Sequence, residues 1–182
     1  MPRLLCVYCS SSDRIDPKYH EAGRQLGRQL VEHGWGLVFG GSSRGTMREL
    51  ARAVKAAGGR VVGVIPEFMK AHEWEFKEAD ELVTVTTMRE RRRLMEERAG
   101  AFVALPGGIG TLEEFIEIAT ARYLKQVTRP LVLVNLDGFY DDLLRQFARG
   151  AREGFRPENP AEVFAVARTV EGIWPLLGDP GV

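Results

Sequence analysis

Along the chain, short apolar runs alternate with longer segments in which apolar residues recur every three or four positions. The short runs are Leu4 to Tyr8, Gly36 to Phe39, Arg60 to Ile65, Leu82 to Val85, Ala101 to Leu105, Leu131 to Asn135 and Val163 to Val166, and their length and β-branched or aromatic content predict strands. Helical spacing predicts helices from Pro17 to about Val31, over Met47, Leu50, Ala51 and Val54, from Thr87 to Ala99, from Thr111 through Leu112, Phe115, Ile116, Ala119 and Tyr123, from Phe139 to Ala151, and from Val170. Pro17 suits a first turn, and His33-Gly34 and Gly58-Gly59 suit helix ends. Only residues 67–81 lack a period, which predicts a loop or a short irregular helix over one edge of the sheet. Strands apolar on both faces, alternating with helices, predict an α/β fold: one parallel sheet covered by helices on both sides, with ligands at the strands' C-terminal ends.

Composition narrows this picture. A chain of 182 residues suits a single domain spanning 1–182 with a core of its own. Lys+Arg and Asp+Glu are both 25, so no net charge points to nucleic acid or to an anionic membrane as a partner. Cys6 and Cys9 lie in and just after the first strand, and His20, His33 and His72 are scattered, so no metal site is expected. No apolar run is long enough to span a bilayer and no signal peptide is read, so a cytoplasmic protein with reduced thiols is expected.

The candidate chemistry sits where strands turn into helices. Pro106-Gly107-Gly108-Ile109-Gly110-Thr111 follows an apolar strand and opens a helix, so its glycines let the backbone approach a ligand while the helix's first N–H groups point outward. Those N–H groups and the helix dipole suit a phosphate. Thr111-Leu112-Glu113-Glu114 also fits a capping box, which would make Glu114 a cap and nothing more. Gly40-Gly41-Ser42-Ser43-Arg44-Gly45-Thr46 is a second glycine-rich strand-to-helix turn, and Cys9-Ser10-Ser11-Ser12-Asp13 is a third strand-end loop, small and polar. On the helix between them, Met88, Met95 and Ala99 mark an apolar stripe, with Arg91 and Arg92 on either side of it. Arginines so placed either snorkel to the rim or clamp an anion near the interior.

Pro106-Gly107-Gly108-Ile109-Gly110-Thr111-Leu112-Glu113-Glu114, Met88-Arg89-Glu90-Arg91-Arg92 and the turn at Gly40 to Gly45 together resemble the LOG family, the cytokinin riboside 5′-monophosphate phosphoribohydrolases long labelled "possible lysine decarboxylase". The resemblance runs along nearly the whole chain, from Ser10-Ser11-Ser12 to the stretch Asn135 to Asp141. It implies a Rossmann-like, doubly wound, homo-oligomeric enzyme that needs no cofactor and hydrolyses a nucleoside 5′-monophosphate to free base and ribose 5-phosphate. It implies Arg91 and Glu114 as catalytic residues, with Arg92, Gly107, Gly108, Gly110, Thr111, Glu113 and Thr120 on the substrate side. The amides of Gly40, Gly41 and Gly45 are expected to help hold the phosphate. The chain departs from the family pattern at Ser42, Thr46 and Arg92, and over Ala121 to Val127. Two rivals belong to other classes. A carrier of a nucleotide or phosphate-bearing cofactor would use the same cradle without hydrolysis. A pyridoxal phosphate decarboxylase needs a Schiff-base lysine, and none of Lys18, Lys55, Lys70, Lys77 and Lys125 lies in either glycine turn.

Overall fold

The computed structural model describes residues 3–72, 74–155 and 162–178. In chain order its elements are β1 (Leu4–Tyr8), α1 (Pro17–Glu32), β2 (Gly36–Phe39), α2 (Gly45–Ala56), β3 (Val61–Pro66), α3 (Glu67–Lys70), β4 (Glu81–Val85), α4 (Met88–Arg98), β5 (Ala99–Ala104), α5 (Ile109–Tyr123), β6 (Leu131–Val134), α6 (Asp141–Arg152), β7 (Ala165–Ala167) and α7 (Trp174–Leu177). The strands form one seven-stranded sheet in the order β4-β3-β2-β1-β5-β6-β7, and each neighbouring pair is parallel. This is the expected doubly wound α/β sheet.

Strand alternation divides the core. Leu5, Val7, Leu37 and Phe39 face α1 and α2, joining Leu26, Leu30, Leu50 and Val54. Leu4, Cys6, Tyr8 and Val38 face the other way, joining Met95 of α4 and Phe115, Ile118 and Ala119 of α5. The chain winds from β1 outward to β3 over one face and from β5 outward to β7 over the other. The reversal between β1 and β5 opens the crevice in which such sheets bind ligands.

Several boundaries differ from expectation for physical reasons. α5 begins at Ile109, and its buried face is Thr111, Glu114, Phe115, Ile118 and Ala119, while Ile116 and Tyr123 are exposed. Apolar spacing alone selected a stripe rotated around the helix, because two of the inward positions hold polar residues. β5 starts at Ala99, directly after α4, rather than at Ala101. β7 is Ala165–Ala167; Val163 and Phe164, expected within it, precede it and are buried under α5 and α6. A 3-10 turn over Glu171–Ile173 followed by α7 replaces one closing helix from Val170. Residues 67–81 do more than cover an edge. After the single turn of α3, Ser42 bridges to Glu75, the Phe76 amide donates to the Gly41 carbonyl at 2.8 Å, and the Phe76 ring enters the core against Phe39. No described helix is long and apolar enough to cross a membrane.

Candidate functional site

The site is assembled from α4 and from the exits of β1, β2 and β5. Thr87 caps α4 by accepting from the Glu90 amide at 3.1 Å, and the Glu90 carboxylate accepts from the Thr86 amide at 3.0 Å. That fixed start sends Arg91, one turn in, beneath the crevice, where it is 4% exposed. Its Nε donates to the Val64 carbonyl at 3.1 Å and its Nη2 to the Gly40 carbonyl at 2.9 Å, while Nη1 lies 3.6 Å from Oε1 of Glu114. A buried guanidinium is tolerable only with such partners. Arg91 is therefore an interior clamp and not a snorkelling side chain.

Glu114 is 5% exposed. Burial pushes its carboxyl up to about 7, and the Arg91 and Arg92 guanidiniums only partly oppose that rise. A carboxyl that changes charge near neutrality, beside a fixed cation in a crevice, is suited to general acid or base work.

The cap reading of Glu114 does not hold. Gly108 is the N-cap of α5, no side chain caps the helix, and Thr111 and Glu114 both point inward. The turn is instead pinned from below: the buried Tyr140 hydroxyl donates to the Leu105 carbonyl at 2.8 Å and accepts from the Gly107 amide. Gly107 is sterically required, since a Cβ there would fall 2.1 Å from Oγ1 of Thr111. Gly108 and Gly110 are different. A Cβ at either would meet nothing within 4 Å, and neither residue has a positive φ. The protein's own packing does not need them to be glycine, and their backbone borders open space at a helix start.

That space is a cleft of about 350 Å³. Cys9 and Ser10 to Ser12 from the β1 exit line it, with Ser42, Met47, Met69 and Met88 from the exits of β2, β3 and β4. Of the residues expected in the site, Arg91, Gly108, Gly110, Thr111, Glu113 and Glu114 line the cleft. Gly107 lines an adjoining hollow of about 260 Å³, which shares Ser10, Ser12 and Gly108 with it and is walled by Ile15, Tyr19, Pro106 and Phe139.

Other expected residues stand elsewhere. Arg92 pairs with Glu113 at 2.9 Å and Glu117 at 2.5 Å, lacing α4 to α5 outside the cleft. Thr120 is exposed, about three turns along α5 from its start. Gly40, Gly41 and Gly45 shape the floor without lining it, and the amides of their turn are spent internally: Ser43 donates to the Trp74 carbonyl, Arg44 to Oγ of Ser42, Gly45 to Oδ1 of Asp13 and Met47 to the Ser10 carbonyl. The structure thus leaves this turn few free donors for a phosphate. Glu73, in the aperiodic segment and a further candidate to reach the site, lies outside the described residues. The cleft methionines escaped sequence reasoning because Met47 fits a helix core and Met69 lies in the aperiodic segment. Met88 carried a signal, as the first residue of the arginine motif.

A model of the family described as "Possible lysine decarboxylase" matches residues 47–177. The chain belongs to this family. Its similar relatives include a cytokinin riboside 5′-monophosphate phosphoribohydrolase of Arabidopsis thaliana, 39% identical over 96% of this chain and 82% of the relative. Another, from Oryza sativa subsp. japonica, is 40% identical over 92% of this chain and 69% of the relative. These names identify the family with the LOG enzymes. Among solved structures, a molybdenum cofactor binding protein from Rippkaea orientalis superposes with a TM-score of 0.73 at 20% identity, covering 97% of this chain and 95% of that one. The molybdenum cofactor carrier protein of Chlamydomonas reinhardtii gives 0.72 at 21% identity, covering 96% and 95%. At such identities the likeness shows a shared fold. The decarboxylase in the family's description finds no counterpart in this LOG-family cleft, since no lysine is among the described residues that line it.

Proposed function

We propose that this LOG-family protein hydrolyses the N-glycosidic bond of a nucleoside 5′-monophosphate, of the AMP or cytokinin riboside monophosphate type, to free base and ribose 5-phosphate. The observation that carries the reading is Glu114: a buried carboxyl raised to about 7, 3.6 Å from Arg91 and opening onto a cleft bordered by an uncapped helix start. The activity of the curated relatives supports it.

The 5′-phosphate sits against the amides of Gly108, Gly110 and Thr111, where the helix dipole favours an anion. The ribose then lies over Glu114, with Glu113 at the rim. As the bond from C1′ to the base nitrogen stretches, its electron pair leaves with the base and the ribose gains oxocarbenium character, which the Glu114 carboxylate stabilises. A water oxygen bonds to C1′, its proton passes to Glu114, and the departing base takes up a proton from solvent, to which Glu114 then returns its own. Arg91, fixed by two backbone carbonyls, holds the Glu114 carboxyl in register and keeps part of its population ionised at neutral pH.

We further read the protein as a cytoplasmic homo-oligomer. The exposed apolar residues Ile109, Ile116, Tyr123 and Leu124 on and just after α5 support an assembly, which light scattering on the eluting protein measures.

The test is release of free base from AMP and from isopentenyladenine riboside monophosphate. Glu114→Gln keeps the side chain's shape and removes its proton chemistry. It is expected to bind AMP within a few-fold of the parent and to lose on the order of 10²- to 10⁴-fold in turnover. Full activity in that variant removes Glu114 from the mechanism. Tight AMP binding with no base released from either nucleotide by the parent protein replaces the hydrolase reading with the carrier.

A further inference from the structure

The cleft is chemically unequal along its length. At the β5 end lie the open amides of the α5 start, and in the middle Glu114 and Arg91. At the far end, Met47 of α2, Met69 of α3 and Met88 of α4 descend from the exits of β2, β3 and β4. Adjacent strands are about 4.8 Å apart, so the three steps from β5 through β1 and β2 to β3 cover on the order of 14 Å. A nucleotide whose phosphate rests on α5 and whose C1′ faces Glu114 runs along this row. Its base then arrives at the methionines.

Among the described residues that line the cleft, few at that end can read a base's hydrogen-bonding edge. The described residues lining the cleft include no Asn, Gln, Asp or His. Ser42 supplies a hydroxyl there, and its oxygen already accepts from the Arg44 amide at 3.3 Å. Met69 and Met88 are only half-buried, and each presents a flexible, polarizable thioether to the cleft.

We propose that Met47, Met69 and Met88 form the base-binding wall of this cleft and hold a purine by thioether contact, so that 6-amino, 6-oxo and 6-alkylamino purine nucleotides are all accepted. The proposal rests on the hydrolase reading of the same site. The discrimination such a wall achieves is bounded. A site built to hydrogen-bond a substituent rejects the analogue lacking it by roughly 10⁴- to 10⁵-fold, whereas an apolar wall separates near-isosteric ligands by only about 10- to 200-fold.

The experiment measures kcat/KM for AMP, inosine monophosphate and N6-isopentenyl-AMP in the parent protein, Met69→Ala and Met69→Leu. In the parent, the values for AMP and inosine monophosphate fall within about 200-fold of one another, and N6-isopentenyl-AMP is also cleaved. Met69→Ala raises KM for all three by about 10-fold and alters their ratios, and Met69→Leu restores most of the loss. The inhibition constant of ribose 5-phosphate, which carries no base, stays unchanged throughout. Discrimination above about 10⁴-fold between AMP and inosine monophosphate in the parent, or an equal weakening of ribose 5-phosphate and AMP in Met69→Ala, overturns the base wall. If the parent cleaves none of the nucleotides, the hydrolase reading fails by itself. The wall is then judged by calorimetric affinities for AMP against ribose 5-phosphate, and AMP affinity left intact in Met69→Ala overturns it.

Discussion

The two glycine-rich turns are alike in sequence and opposite in construction. Both leave a parallel strand and enter a helix. In the first, a Cβ on Gly40 would fall 1.7 Å from Nη2 of Arg91, and Gly41 and Gly45 have φ of 71° and 57°, a region side chains resist. Its backbone groups are consumed by Trp74, Phe76, Asp13, Ser10 and Arg91. In the second turn only Gly107 is sterically required, while Gly108 and Gly110 face open space at a helix start with no side-chain cap. A glycine needed by its neighbours is scaffold. A glycine that no described neighbour needs, at a helix start without a side-chain cap in a cleft, leaves room for a molecule from outside. Arg91 joins the two turns by donating to Gly40 and pairing with Glu114.

The largest effect that separates them is on stability. Ala at Gly45 would place a Cβ 2.5 Å from the Ser11 carbonyl carbon and 2.7 Å from the Ser12 amide nitrogen, all rigid backbone, in addition to the strain of its positive φ. Gly45→Ala is expected to cost at least about 3 kcal/mol, lowering Tm by roughly 6 to 12 °C in thermal unfolding. A variant as stable as the parent would place the first turn in the same class as the second.

Next in size is the cost of keeping Glu114 buried beside the open turn. Its carboxyl ordinarily titrates near 4.5 and is raised to about 7 in the fold. Between those values the folded protein retains a proton that the unfolded chain has released, so stability falls as pH rises through the window. The loss is on the order of 3 kcal/mol at most, with Arg91 limiting it. Tm measured from pH 4.5 to 8 is expected to decline more steeply in the parent than in Glu114→Gln. Over the same range kcat/KM for AMP is expected to rise and level off above about pH 7, as the carboxylate forms. Identical slopes in the two proteins would show that Glu114 is not the group titrating.

How much of this was legible beforehand follows the same division. The strand and helix alternation fixed the sheet's class, because strands buried on both faces read as continuous apolar runs. The pairing of Arg91 with Glu114, proposed here as catalytic, was foreshadowed by local chemistry: Arg91 beside an apolar stripe, and Glu114 a short step past a glycine turn. The inward face of α5 was not legible, since Thr111 and Glu114 occupy core positions that an apolar count passes over. Nor was the difference between the turns. Whether an amide is free depends on partners far away in the chain, such as Asp13 for Gly45 and Trp74 for Ser43, and spacing carries no record of them. The methionine end of the cleft was hidden for the same reason, being gathered from three separate helices.

A smaller effect isolates ligand binding from folding. Gly108 has φ −86° and ψ −157°, which any residue adopts, and a Cβ there meets nothing within 4 Å. Gly108→Ala is expected to unfold within about 0.5 kcal/mol of the parent while binding AMP at least about 10-fold more weakly by calorimetry, the methyl group occupying the space proposed for the phosphate. Unchanged affinity would mean that the anion rests elsewhere.

The smallest effect has the opposite sign. Gly110 lies in the first turn of α5, where glycine loses backbone entropy on folding that alanine does not and gains no contact in return. Gly110→Ala is therefore expected to stabilise the protein by about 0.5 to 1 kcal/mol, raising Tm by roughly 1 to 4 °C. It should do so while slowing release of base from AMP, because the added methyl group borders the cleft. Stability gained together with activity lost, at a position without internal contacts, is the signature of a residue retained for its ligand. If Gly110→Ala were instead less stable than the parent, the second turn would carry packing of its own and the contrast with Gly45 would narrow to one of degree.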